Sequence, residues 1–363
     1  MSDNNRGAFI PLTSEEVVLS TDSVTSAMWS NNTPTLRNYF TSSAQVASAV
    51  APYYTTVFQT ASVDVTAEIQ FDVAYCDAQG SGSTFLNPLV IGTSPTRTNY
   101  GQYRNLVLGD ENANFIFGNQ SSSYFYVINL ERARYKQSIL LGTWTLVISG
   151  SNGSDDVVLT DDSIVNNIAQ FSDAGRYYNI ISGSAGVVAQ GYGGQVDGWT
   201  ENSGSYGWIL PDVDLLILNG EALDGAVADG GIALATSRSY NAPGGAVGSP
   251  IGNARNFIQA LSRGGLTPLS PTGFTLNSQE NLSSDFIFCR ARNSEFNYSA
   301  NPSFISSSNG AIIYDTFIEN PTTYITTVGL YNISQELLAT AKLSRTFEKD
   351  LTKELLVRVK LDF

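Results

Sequence analysis

Asp212 and Asp214, separated only by Val213, are the carboxylates spaced most like a catalytic pair in this 363-residue chain. On a strand, residues two apart share a face. A retaining glycosidase holds two carboxyl groups about 5–5.5 Å apart, and an inverting one holds them farther. The pair therefore names one candidate chemistry, polysaccharide hydrolysis. Such pairs also occur in most proteins that cleave nothing, so the spacing selects no activity by itself. A second acidic group, Asp155-Asp156 with Asp161-Asp162, brackets the apolar run Val157-Val158-Leu159. Calcium takes six to eight oxygen ligands, which a group this dense could begin to supply. It lacks the glycine and terminal glutamate of an EF-hand loop, and a solvated loop is the plainer expectation.

Other chemistries are closed off by composition. The chain has no histidine, which removes Ser-His-Asp and Cys-His catalysis and the commonest transition-metal ligand. Cys76 and Cys289 match no CxxC spacing and read as buried free thiols. Gly191-Tyr192-Gly193-Gly194 and Ala242-Pro243-Gly244-Gly245 do not continue into a phosphate-binding helix start and read as turns. Arg132, Arg134 and Lys136 alternate as a basic stripe would on a strand, but Glu131 beside them favours salt bridges. At the C-terminal end Lys342, Arg345, Lys349, Lys353, Arg358 and Lys360 interleave with Glu348, Asp350, Glu354 and Asp362, the pattern of a solvated strand face. With a net charge of −14, the chain lacks the basic footprint that phosphate backbones require, so no nucleic-acid partner is expected. The sequence specifies no catalytic, cofactor-binding or metal residue.

The elements that carry these residues read as mainly β. Val63, Val65, Ala67, Ile69, Phe71, Val73 and Tyr75 alternate with polar residues, predicting a strand with one wet face. Further strands are expected at 105–108, 114–117, 124–135 and 143–149, with turn-rich stretches between them. This spacing suits an antiparallel sandwich. The texture changes near Gly150, and about two-thirds of the 32 glycines fall between Gly150 and Gly273. Within that region 213–218 reads as a buried strand, and 254–261 as a helix capped by the glycines after Arg263. Strands return at 324–331 and 337–343 around a hairpin loop, and again where Leu355, Val357, Val359, Leu361 and Phe363 alternate with polar residues. The simplest partition is an N-terminal arm over 1–60 with a short helix at 42–54, and a β-sandwich begun at 61–150. A Gly-rich mixed α/β insertion at 151–285 interrupts it, and 286–363 completes it.

Hydrophobic residues make up 42 % and charged residues 14 %, so a large core is affordable while the surface is unusually poor in charge. A surface built from Ser, Thr, Asn and Gly, with 11 % aromatics, suits extensive contact with neighbouring subunits. The polar opening Met1-Ser2-Asp3-Asn4-Asn5-Arg6 is no secretory signal, and no apolar run approaches the ~20 residues that span a bilayer. Cytoplasmic synthesis and assembly, without a membrane partner, are expected.

Two stretches carry a family resemblance. One is Arg292-Asn293-Ser294-Glu295-Phe296-Asn297-Tyr298-Ser299-Ala300-Asn301-Pro302-Ser303-Phe304. The other runs from Tyr324-Ile325-Thr326-Thr327-Val328-Gly329-Leu330-Tyr331-Asn332 through Glu336–Ser344 to Arg358-Val359-Lys360-Leu361-Asp362-Phe363. Together they resemble virion structural proteins of contractile-tailed phages, especially T4-like phages of marine cyanobacteria. Tyr100–Leu106 and Arg132–Lys136 are similar more weakly, and 150–285 not at all. The resemblance implies a non-enzymatic tail or baseplate component, located in the virion, whose partners are other virion proteins and copies of itself. A baseplate wedge protein is the leading expectation. The alternatives are a neck or capsid-decoration protein, or a receptor- or glycan-binding adsorption module.

Overall fold

The structure is a computed structural model, describing residues 9–41, 54–80, 96–118, 120–150, 156–166, 168–189, 205–226, 230–234, 253–266, 273–299, 303–306 and 308–362. Residues 42–53 of the helix expected at 42–54, Asp155, Phe363 and the two glycine-rich turns lie outside them, and Tyr54 opens a strand, Tyr54–Phe58. The chain is mainly β and antiparallel, as its patterning predicts. It divides into two units, Val24–Glu280 and a smaller one made of Met1–Ser23 with Asn281–Phe363. Both crossings fall inside strands, Val17–Ala27 and Asn277–Ala291.

This partition differs from the one read off the texture. Strands from both sides of residue 150 join one thirteen-stranded sheet in the larger unit. Its centre runs Thr145–Ser149, Asp156–Asp161, Gly175–Ser184, Gly207–Leu210, Leu215–Asn219, Tyr124–Leu130, Ile69–Asp77, Tyr54–Phe58. Leu216 faces Ile128, and Val73 faces Ile128 from the other side, so Tyr124–Leu130 is a central strand. The glycine-rich stretch therefore adds strands to the same sheet. Texture misled because glycines such as Gly175, Gly183 and Gly207 sit within the strands of the sheet itself.

Both sheet faces are covered. Tyr126 and Ile128 point into one core, which the helix Asn253–Leu266 closes with Phe257, Ile258 and Leu261. Phe257 stacks on Tyr126 with ring centroids 4.8 Å apart. Phe125 and Val127 point into a second core with Trp208, Phe115 and Phe117, roofed by Tyr100 and Val107 of the helix Thr96–Leu108. A strand buried on both faces has no reason to alternate, and Leu215–Asn219 is apolar throughout except at its end.

Five local expectations are corrected for physical reasons. Residues 63–68 are a turn, not a strand: the Asp64 carboxylate accepts from the Thr66 N–H and hydroxyl, leaving Val63 and Val65 in solvent. The wet face expected for 63–75 is absent where the strand does form, because Gln70, Cys76 and Asp77 are buried too. Residues 105–108 are helical, since Tyr100 and Val107, seven apart, both face the sheet. The sandwich strand expected over 124–135 ends at Leu130, and Arg132–Arg134 is a single 3-10 turn. Finally, Gly264 and Gly265 lie inside their helix rather than capping it. A Cβ on Gly264 would come within 2.3 Å of the Val147 carbonyl oxygen, so glycine there permits close packing of helix on sheet.

In the smaller unit, Leu355–Asp362 pairs with Asn277–Ala291 in the register Ala291↔Leu355 to Ser284↔Asp362. Val357 and Val359 are buried while Arg358 and Lys360 face out over the Phe286 ring, so the predicted alternation holds. Thr323–Tyr331 and Leu337–Lys349 form the expected hairpin, whose loop is closed by the Asn332 side chain on Glu336.

Candidate functional site

The sequence candidates for chemistry do not converge. Asp212 and Asp214 sit in the turn before Leu215–Asn219 and do not share a strand face. Arg176 grips Asp212 through Nη2–Oδ1 at 2.6 Å and Nε–Oδ2 at 3.1 Å, and these bonds hold its carboxyl below the usual range. Asp214 is fully buried with φ +52°, and neither oxygen closes a hydrogen bond of standard geometry among the described residues. Burial pushes its pKa up to about 7, partly offset by the Tyr135 hydroxyl, the Ile139 N–H and Arg132. A salt-bridged carboxylate and a sealed one do not form a pair open to a sugar.

The acidic group at 155–162 is not a solvated loop where it is described. Asp161 accepts from the N–H groups of Gly142 and Ser163, at 2.8 and 3.0 Å. Asp162 accepts from the Asn179 N–H and side-chain amide, at 2.9 and 3.1 Å. Both side chains are buried, and these contacts pin a loop to the sheet. Among the described residues, no group of three or more His, Cys, Asp and Glu is placed to hold a metal ion.

Several of the candidate basic residues are engaged within the chain. Arg132 lies over the Tyr135 ring at 4.6 Å, and Arg134 pairs with Glu68 at 2.6 Å. In the C-terminal cluster, Lys353 bridges Glu348 and Asp350, and Lys360 meets Asp362. Lys349 departs from the solvated-face expectation. It is fully buried, and its Nζ donates to Asn297 Oδ1 and to the carbonyls of Asn293 and Asp350 at 2.6–2.9 Å. Cys76 is buried and Cys289 half-buried, and both are free. Burial raises both thiols' pKa values, that of fully buried Cys76 the more strongly, so Cys76 is the less reactive of the two.

What stands out is how little the smaller unit buries. Among its described residues only Ala291, Phe317, Val357 and Val359 are buried hydrophobics, whereas the larger unit holds two extended cores. Among the described residues, more than half of the exposed large apolar side chains lie in this minor part, Tyr324, Leu337, Leu338 and Leu356 each more than half exposed. Between the hairpin and its other strands runs a groove of about 970 Å³. One wall is residues 324–333. The rest is residues 9–12, Glu16, 289–291, Phe296, Gln335, Leu355 and Val357. The ring of Phe9 meets that of Tyr331 edge-on, 5.0 Å apart, across one end. The signal for this surface was present in the sequence: Thr323–Tyr331 contains no charged residue and no proline.

No family model matches the chain, and no curated protein or solved structure matches it either.

Proposed function

We propose that the chain is a non-enzymatic structural subunit of a tailed-phage virion, acting through protein–protein interfaces in the tail or baseplate. The observation that carries this reading is the under-filled smaller unit. A unit with four buried apolar side chains and a surface rich in exposed Tyr, Leu and Ile recovers little hydrophobic free energy on its own. Burial against neighbours supplies what it lacks, and apolar, aromatic, charge-poor surfaces are what such interfaces use. The same stretch, 286–363, carries the resemblance to contractile-tail proteins. The candidate carboxylates support no competing hydrolytic reading, because one is salt-bridged and the other sealed. The test is mass spectrometry of purified particles combined with electron microscopy of particles labelled on this chain. Detection at a fixed position in the tail or baseplate supports the reading. A chain absent from particles, or one releasing reducing sugar from host-surface polysaccharide, overturns it.

A further inference from the structure

We propose that the groove beside Thr323–Tyr331 receives a single extended strand from a neighbouring subunit of a different protein. Among the described residues, Thr323–Tyr331 pairs only with Leu337–Lys349, so its other edge carries backbone donors and acceptors that no ladder completes. Consecutive residues from 324 to 333 all line the groove, which places that edge along it rather than one face of the strand. A row of amide and carbonyl groups at a strand edge is completed by another strand, with side chains at alternate positions read by flanking pockets.

The charge of the groove states the chemistry of its occupant. Its charged lining residues are Glu16 and Arg290, one of each sign, in a chain of net charge −14. A phosphate backbone or a highly charged peptide finds at most one counter-charge there, and Arg290 is already paired with Glu354 at 3.0 Å. An uncharged strand with apolar side chains at alternate positions matches both the neutral walls and the apolar floor of Ile325, Val328, Leu330, Leu355 and Val357. Edge strands exposed to solvent are usually blunted by lysine or proline. Thr323–Tyr331 has neither, as expected of an edge covered in its working state. A groove of about 970 Å³ is at the upper end of the ~300–1,000 Å³ of sites that enclose whole ligands, ample for several residues.

This inference rests on the assembly reading above, and Cys289, which lines the groove, separates the two. The experiment labels native protein with a maleimide, as the free chain and in purified particles. Buried Cys76 serves as the internal control. The expected result is labelling of Cys289 in the free chain and at least tenfold slower labelling in particles. A cross-linker placed at Cys289 in particles should then join a peptide of a different virion protein. Thr327→Lys puts a charge on an exposed groove position and should abolish incorporation, whereas Thr340→Lys on the opposite strand should incorporate normally. A chain missing from particles fails both readings. A chain present with Cys289 equally reactive, or cross-linked to a second copy of itself, overturns only the groove. So does a small molecule released from the free chain on denaturation, or normal incorporation of Thr327→Lys.

Discussion

The Lys349 ammonium sits 2.6 Å from Asn297 Oδ1, tying the end of the long hairpin to a segment 52 residues away. With the Asn293 and Asp350 carbonyls it has three acceptors for three protons, which is how a buried lysine can keep its charge although burial lowers its pKa.

Replacing Lys349 with Met should therefore destabilise the smaller unit. The change leaves buried Asn297 Oδ1 and the part-buried Asp350 carbonyl short of a donor, while the Asn293 carbonyl keeps the Asn297 side-chain amide, a loss of about 1–3 kcal/mol. Hydrogen exchange should quicken across 293–299 and the hairpin, and stay unchanged in Leu215–Asn219. Lys349→Arg should not rescue it, since a planar guanidinium does not fit a cage shaped for a point charge. Equal protection in Lys349→Met and the parent would show that the cage carries no stability.

Asp214 makes stability depend on pH in a stated direction. Its folded pKa of about 7 lies above the unfolded value of ~3.9, so between those values the folded chain binds the extra proton. Stability from this group is full below pH ~4, falls as pH rises toward 7, and is flat above. Asp214→Asn removes that decline and tolerates the positive φ, so its melting temperature should exceed the parent's at pH 8 and match it near pH 4. The gain is at most about 4 kcal/mol. Melting curves of the two proteins across pH 4–8 check this, and parallel curves would refute it.

Gly264→Ala should run against helix propensity. In an exposed helix the change gains about 1 kcal/mol. Here the new methyl meets the Val147 carbonyl at 2.3 Å, a backbone atom that cannot swing away. A loss of about 1–3 kcal/mol by denaturant unfolding is expected.

Deleting residues 355–363 should leave the chain insoluble or unable to assemble, because it removes Val357 and Val359, half of the buried apolar residues described in the smaller unit. Lys360→Ala, on the outer face over Phe286, should change stability by less than about 1 kcal/mol. Solubility and particle incorporation of the two variants measure the contrast.

Where burial and period agree, the residues announced their structure. Leu355–Asp362 alternates because one face is buried, and Leu215–Asn219 is continuously apolar because two are. Where a local hydrogen bond competes with the pattern, reading failed. Val63 and Val65 alternate with polar residues as a strand would, yet Asp64 closes a turn around them. The helix Thr96–Leu108 was hidden because only Thr96, Tyr100 and Val107 of its residues are buried, too few to show a period within a four-residue window. Lys349 carries no signal, since a lysine ending a strand is ordinarily solvated and its cage is assembled from distant residues. The same holds for Asp212 and Asp214, whose opposite fates depend on Arg176 and on the fold around Tyr135.

Among the described residues, the large sheet ends on both sides in two-residue strands, Thr35–Leu36 and Phe40–Thr41. Stubs this short offer almost no template to an incoming chain. A crowded pool of newly made subunits thus has little opportunity to polymerise through its most hydrophobic sheet. Among the described residues the outer edge of Thr323–Tyr331 is long, uncharged and without a ladder partner, so it is where premature growth would begin if the proposed donor strand came late. The order in which subunits meet would then matter as much as their affinities: a shortage of the donor strand should leave aggregates seeded at residues 323–331 rather than idle monomers.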